Sequence, residues 1–159
     1  MEQKKKDWFC DSIHEIREEM YRMAFYILEN EEDSKDAVSE AIFAAYENIS
    51  SLRKEKHFKT WIIKIVANKA KDIRRIRQKE ILGKEDGVVS RYDRWDSYVE
   101  WADILEKVPI KYKMVLVLYY WEEYKIGEIS EILEIPQGTV KSRLARAEGF
   151  VKKEFHGGK

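Results

Sequence analysis

Apolar residues recur along this chain at intervals of three and four, the period of amphipathic helices. Between Trp8 and Glu29, the residues Ile13, Ile16, Met20, Met23 and Ile27 mark the buried side of a first helix. A polar break from Asn30 to Ser34 follows, with Asp33 or Ser34 available as the N-cap of a second helix over 34–48. In that helix Val38, Ala41, Ile42, Ala45 and Ile49 form one face, expected to pack on the first helix. Ser50 to His57 reads as a polar, charged loop. A third helix is expected from Phe58 to Gln78, with Phe58, Ile62, Ile65, Val66, Ile73 and Ile76 on its buried side. Residues 79–100 change character: Gly83, Gly87 and the Val88-Val-Ser90 break read as a linker, in which Tyr92, Trp95 and Tyr98 should pack on something. A last domain starts near Trp101. There Ala102, Ile104, Leu105 and Val108 lead to Pro109, and the nearly continuous apolar run Tyr112–Trp121 predicts its central helix.

The pattern then tightens. Ile126, Ile129 and Leu133 share one face of a short helix, and Pro136 closes that helix region. Gln137-Gly138-Thr139 offers a turn and an N-cap for the next helix. In it Val140, Leu144, Ala147 and Val151 fall in a narrow sector and should face inward. Thr139, Ser142, Arg143 and Arg146 project from the far side, with Lys141 on one flank. A helix, a turn and a helix with such an outer face is the helix-turn-helix arrangement, whose second helix enters the DNA major groove. Arg and Lys read guanine edges or hold phosphates, and Ser and Thr do either more weakly. On these grounds alone a helical hairpin with a solvated basic face remains open.

These elements make an all-α chain: two small helical domains, 1–78 and 101–159, joined by the linker 79–100. Thirty basic and thirty acidic residues cancel, but they are segregated. Residues 29–40 hold six acids against Lys35, a net of −5, and residues 59–79 hold eight bases against Asp72, a net of +7. A local field matters more to a polyanion than the total does. No run of roughly 18 apolar residues would cross a membrane, and no signal peptide follows the polar start. The single Cys10 excludes an internal disulfide and a multi-cysteine metal site; an incidental half-buried thiol is its favoured reading over a redox sensor. This composition fits the cytoplasm.

Two helix faces carry candidate chemistry. Opposite its buried side the second helix shows Asp36, Glu40, Phe43 and Glu47, at spacings of four, three and four. An aromatic residue inside an acidic outward stripe suits a hot spot on a partner surface. The alternative is a solvated face with Phe43 covered by a neighbouring segment. The third helix shows Lys64, Asn68, Lys71 and Arg75 at the same spacings, with Trp61 and Asp72 on a flank. Cations that track a backbone, an amide that reads a base edge and an aromatic that stacks suit single-stranded DNA. For Trp61 a place in the core is the favoured alternative, since large aromatics dominate small cores.

Several of these segments resemble the extracytoplasmic-function group of sigma factors in the sigma-70 family, over roughly 10–78 and 101–153. Glu128–Ala147, and within it Gly138-Thr-Val-Lys-Ser-Arg-Leu-x-Arg-Ala147, resembles the segment that reads the promoter −35 duplex (region 4). Asp36-Ala-Val-Ser-Glu-Ala-Ile-Phe43 resembles the segment (region 2.2) that docks on the β′ clamp helices of RNA polymerase; Ser39 departs from the usual Gln. Phe58–Arg75 resembles the −10 reading and melting segment (regions 2.3 and 2.4), in which the Asn at the position of Asn68 helps hold a base flipped from the strand, assisted by the preceding loop, here 50–57. Val108–Leu118 resembles region 4.1, with Lys113 where Arg is common.

The resemblance implies an alternative sigma factor. It would bind core polymerase (β′ clamp helices, through Asp36, Glu40, Phe43 and Glu47, and β flap) and promoter DNA. The −35 contacts would be Thr139, Lys141, Ser142, Arg143 and Arg146, and the −10 contacts Lys64, Asn68, Lys71 and Arg75. Extruding a base costs a few kcal/mol of stacking, so a pocket for the flipped base couples recognition to melting without ATP hydrolysis. The resemblance also implies an anti-sigma partner, commonly membrane-bound, and a linker threaded near the RNA path. No catalytic residue, metal, cofactor or small-molecule substrate is expected. A stand-alone helix-turn-helix repressor or activator would explain the C-terminal domain but not the Phe43 stripe or the Asn68 face. An enzyme is disfavoured: His14, His57 and His156 are scattered, and there is neither a phosphate loop nor a nucleophile motif.

Overall fold

In the computed structural model, residues 3–82 and 107–156 are described, and all regular structure among them is helical. The chain divides into two compact units, Met1–Arg91 and Tyr92–Lys159. Of the expected linker, Lys79 to Leu82 belong to a helix. The remaining residues, 83–100, with the Tyr92, Trp95 and Tyr98 expectation, lie outside the described residues, as do Trp101 to Leu105.

The first unit packs three helices: α1 (Gln3–Leu28), α2 (Glu31–Glu47) and α3 (Phe58–Leu82). α1 starts five residues before the apolar pattern does. Its first turns are lysines, good helix formers, with a 2.9 Å Gln3–Asp7 side-chain bond one turn apart. The five expected apolar residues of α1 are all buried, whereas Cys10, expected half-buried, is exposed because it lies off that face. Glu29, at φ 51°, ends the helix in the left-handed region. The cap of α2 is Asn30, not Asp33 or Ser34: its Oδ1 accepts from the Asp33 amide at 2.8 Å. This starts the helix earlier and puts Glu31, Glu32 and Asp33 in its first turn, where the positive end of the helix dipole favours them. Ala37, Ala41 and Ala45, four apart and fully buried, let α2 approach its neighbours closely. The expected loop holds two short 3₁₀ turns, Ile49–Ser51 and Glu55–His57. The buried face of α3 is Phe58, Thr60, Ile62, Ile63, Val66, Ala67 and Ala70. Ile65 and Ile73 are half-buried and Ile76 is 58% exposed, against expectation. The helical period continues past Ala70, but its neighbours cover it only partly there, as far as Arg74, and leave Ile76 open.

The second unit contains α4 (Ile110–Tyr120), α5 (Ile126–Leu133) and α6 (Gln137–His156). α4 is buried continuously from Lys113 to Leu118, on every side, as its unbroken apolar run requires of a central helix. Pro109 precedes it, and its carbonyl accepts from the amides of Tyr112 and Lys113 at 3.0 Å. At the start of α5 the Glu128 side chain accepts from the Lys125 amide at 2.9 Å. Ile129, Ile132 and Leu133 are buried, and Ile126 is half-buried. The helix ends not at Pro136 but at Glu134, whose φ of 57° reverses the chain. The Ser130 hydroxyl reaches the Ile135 carbonyl at 2.5 Å, and the Ser130 carbonyl accepts from the Ile135 amide at 3.1 Å. Pro136 belongs to the next helix: its carbonyl accepts from Thr139 and Val140 at 3.0 and 3.1 Å. Gln137-Gly138-Thr139 is therefore the first turn of α6 rather than a turn and cap.

Candidate docking and nucleic-acid surfaces

On α2 the core geometry dictates what faces solvent. With Ala37, Ala41 and Ala45 turned fully inward, Asp36, Glu40, Phe43 and Glu47 are all exposed. Phe43 is 65% exposed and is not covered by any described segment. No ion pair among the described residues takes up Asp36, Glu40 or Glu47. Tyr46, not among the residues expected here, adds a second half-open ring to this side, packed edge-on against Phe9 with the ring centres 5.8 Å apart. Its signal was its place three residues after Phe43. The result is an apolar centre with an anionic rim, a surface for a partner with an apolar contact among cations.

On α3 the expected stripe is gathered on one side. Lys64, Asn68 and Lys71 are half-buried and Arg75 is exposed. Arg75 lies 3.4 Å from Asp72, one turn before it. The Asn68 amide has no hydrogen-bond partner among the described residues, so its donor and acceptor are both free for a ligand. Trp61 is half-buried, 5.9 Å from the Phe58 ring, which meets Trp8 and Phe9 edge-on at 5.3 and 6.1 Å. It joins an aromatic cluster on one side and keeps the other open.

One link was invisible in the pattern. Arg77, in the basic stretch, holds Asp33 of α2 through two bonds, Nε to Oδ2 at 3.0 Å and Nη2 to Oδ1 at 2.9 Å, and reaches Glu80 at 3.1 Å. The Asp33 carboxylate, then that of Glu80, holds the guanidinium well above its ordinary range. No periodicity rule joins residues this far apart in sequence.

In the second unit α6 turns Val140, Leu144 and Ala147 inward, with Val151 half-buried. Lys141, Ser142 and Arg146 are exposed; Thr139 and Arg143 are half-buried at the edge of the same face. The Ser142 hydroxyl donates back to the Thr139 carbonyl at 3.1 Å. The far half of α6 is tied down. Tyr120 donates to Glu148 at 2.7 Å, Lys107 pairs with Glu154 at 3.1 Å, and the Tyr112 and Phe150 rings lie 5.5 Å apart. A rigid helix with an open polar face, entered by a tight turn, is the geometry a major groove accepts. Among the described residues no three His, Cys, Asp or Glu gather as a metal site, and no helix is long and apolar enough to cross a membrane.

Known protein families match both units of the chain. The sigma-70 region 2 family matches residues 13–80, and the sigma-70 region 4 family matches 98–150. The ECF RNA polymerase sigma factor SigW of Bacillus subtilis is 33% identical over 174 residues, covering 94% of this chain and 90% of that protein. The RNA polymerase sigma factor SigV of the same organism is 32% identical over 139 residues, covering 85% of this chain and 83% of that protein. The fold is shared with the sigma factor RpoE, solved with the anti-sigma factor NepR from Bartonella quintana, at a TM-score of 0.78 and 18% identity over 95% of this chain and 98% of that one. It is also shared with CnrH, solved with the cytosolic domain of CnrY, at a TM-score of 0.73 and 19% identity over 97% of this chain and 91% of that one.

Proposed function

This chain belongs to the sigma-70 family, in its extracytoplasmic-function group, and from that premise we propose how its surfaces divide the work. It is an alternative sigma factor, directing promoter-specific transcription by RNA polymerase. In the proposed division, α2 docks on core polymerase. Phe43 enters an apolar site on the β′ clamp helices, and Asp36, Glu40 and Glu47 pair with cations around it. The observation that carries this is the 65% exposure of Phe43 at the centre of an unpaired acidic stripe. The second unit meets the β flap while α6 enters the −35 major groove. There Arg146, Arg143 and Lys141 contact guanine edges or phosphates, and Thr139 and Ser142 add weaker contacts.

The −10 strand falls to α3. Lys64, Lys71 and Arg75 follow the backbone of the melted strand, and the free amide of Asn68 takes a flipped base. The Asn68 contact exists only once the base is out of the stack, and with the backbone contacts that hold the strand it offsets an unstacking cost of a few kcal/mol. The chain performs no covalent chemistry in this scheme and needs no cofactor. It works inside the bacterial cell, where polymerase is. An anti-sigma partner would hold it inactive by covering the Phe43 stripe and the open face of α6. RpoE is solved with the anti-sigma factor NepR and CnrH with the cytosolic domain of CnrY; a membrane-bound partner would bring this chain to the inner membrane face.

The test is a pull-down of purified core polymerase with the wild type and Phe43→Ala side by side. Loss of a buried aromatic anchor costs about 2 kcal/mol or more, roughly thirtyfold in affinity. A wild type that shifts duplex DNA alone and does not bind polymerase would instead describe a stand-alone repressor.

A further inference from the structure

α3 outlasts the bundle that holds it. Its fully buried side chains end at Ala70; beyond it Lys71, Ile73 and Arg74 are half-buried and the residues from Arg75 to Leu82 are exposed. Ile76 is 58% and Leu82 87% exposed. Yet this overhang carries Lys71 and Arg75, half of the polar stripe. An unsupported helix end frays and bends, because most helical stability in proteins comes from tertiary packing. Arg77 supplies a tertiary anchor here. Its fork meets both oxygens of Asp33 at 2.9 and 3.0 Å, the bidentate geometry that fixes direction as well as distance. Asp33 is itself immobile. It is 6% exposed, its amide is held by Asn30 at 2.8 Å, and it sits in the first turn of α2, where the helix dipole favours its charge.

We propose that Arg77 is a positioning residue: through Asp33 it sets the overhanging end of α3, and with it Lys71 and Arg75, at a fixed angle to α2. This rests on the division of labour proposed above, in which α2 docks on polymerase and α3 takes the −10 strand. The pair then joins the helix that fixes the protein on polymerase to the helix that must meet DNA in register. Arg77 lies within a basic stretch but is not a DNA contact, since two of its nitrogens face Asp33 and a third faces Glu80. Breaking the pair leaves the docking stripe intact and removes the pre-organisation of the strand contacts, so the strand binds a mobile end at a higher entropy cost.

The experiment uses the full chain with core polymerase, as wild type, Arg77→Gln, Asp33→Asn, the double variant and Arg77→Lys. The probe is a duplex that the wild-type holoenzyme selects from a randomised pool, presented closed and premelted across its −10 element. Polymerase affinity is expected to stay within about twofold for every variant, because α2's stripe is untouched. Affinity for the premelted probe is expected to fall roughly tenfold in each single variant, with the double no worse than the weaker single, the signature of one shared interaction. Arg77→Lys should recover only part, since an ammonium cannot reproduce the fork. Amide hydrogen exchange should quicken over 71–82 and stay unchanged in the core of α1.

If Arg77→Gln weakens probe binding and Asp33→Asn does not, Arg77 touches DNA itself and the proposal falls. If both variants lose polymerase affinity and core protection together, the pair only holds the fold, and the proposal falls equally. A wild-type holoenzyme that selects no DNA overturns the reading beneath it, which a selecting wild type with indifferent variants does not.

Discussion

Tyr120 donates a 2.7 Å hydrogen bond to Glu148, tying the end of α4 to the middle of α6. The bond to Glu148 and, after it, partial burial hold the phenol above the ordinary tyrosine range. The folded chain therefore favours the protonated phenol. Its contribution is fully present below the unfolded value of about 10 and is lost as pH rises through the higher folded value. Tyr120 is exposed and Glu148 only half-buried, so the bond contributes less than about 1 kcal/mol. Urea midpoints of wild type and Tyr120→Phe should differ by a small constant amount from pH 6 to 9, and the difference should shrink above pH 10. A gap that widens with rising pH would show that the bond does not favour the phenol.

Two helix positions respond oppositely to glycine. Glu134 ends α5 at φ 57°, a conformation that costs an L-residue about 1 kcal/mol and glycine nothing. It also places a carboxylate at the negative end of the helix. Glu134→Gly should stabilise the second unit by less than about 1 kcal/mol, since the glutamate's own side-chain interaction is lost with it. Gly149 lies inside α6, and a methyl there meets nothing within 4 Å. Gly149→Ala should stabilise by about 0.5–1 kcal/mol through helix propensity alone. Thermal melts of the two variants and their combination check both signs, and the effects should add.

Much of the fold was legible because its helices are amphipathic over many turns. Ile13, Ile16, Met20, Met23 and Ile27 follow one period, and the period is what burial requires. The outward residues Asp36, Glu40, Phe43 and Glu47 were legible for the same reason, as the complement of an alanine stripe. Helix ends were less so. Asn30, Asp33 and Ser34 are all competent caps by type, and which one acts depends on where the chain leaves α1 at Glu29. Ile76 was misplaced because periodicity marks a face and says nothing about whether a neighbour reaches it. The Asp33–Arg77 and Tyr120–Glu148 pairs are tertiary contacts between helices, and a single sequence carries no signal for them.

The misplaced isoleucine gives a sharp contrast in stability. Ile62 is fully buried beside Ile63 and Val66 in the first unit, whereas Ile76 stands mostly in solvent on the same helix. Ile62→Ala should cost about 2–5 kcal/mol, the transfer of the side chain plus the cavity it leaves. Ile76→Gln should stay within about 0.5 kcal/mol of wild type. Chemical denaturation separates them: equal losses would mean that α3 is covered over its whole length.

If α6 enters the −35 groove as proposed, its outer face separates charge from reading. Lys141 and Arg146 are both exposed and both cationic, so each attracts DNA. A lysine on a phosphate releases counterions and little else, so Lys141→Ala should weaken all duplexes alike and reduce the slope of log affinity against log salt by about 0.9. An arginine that grips a guanine through two bonds adds discrimination of about 1–3 kcal/mol at one base pair. Arg146→Ala should therefore lose sequence preference at a single −35 position, with non-specific binding reduced no more than in Lys141→Ala. Arg146 is the better reader because it lies one turn beyond Ser142 on the open side, whereas Arg143 is half-buried at the edge. The measurement is holoenzyme binding to duplexes that differ at each −35 position, over a range of salt. Loss of preference in Lys141→Ala with retention in Arg146→Ala would exchange the two roles. A uniform loss in both would make this face a phosphate clamp, leaving sequence choice to the −10 strand.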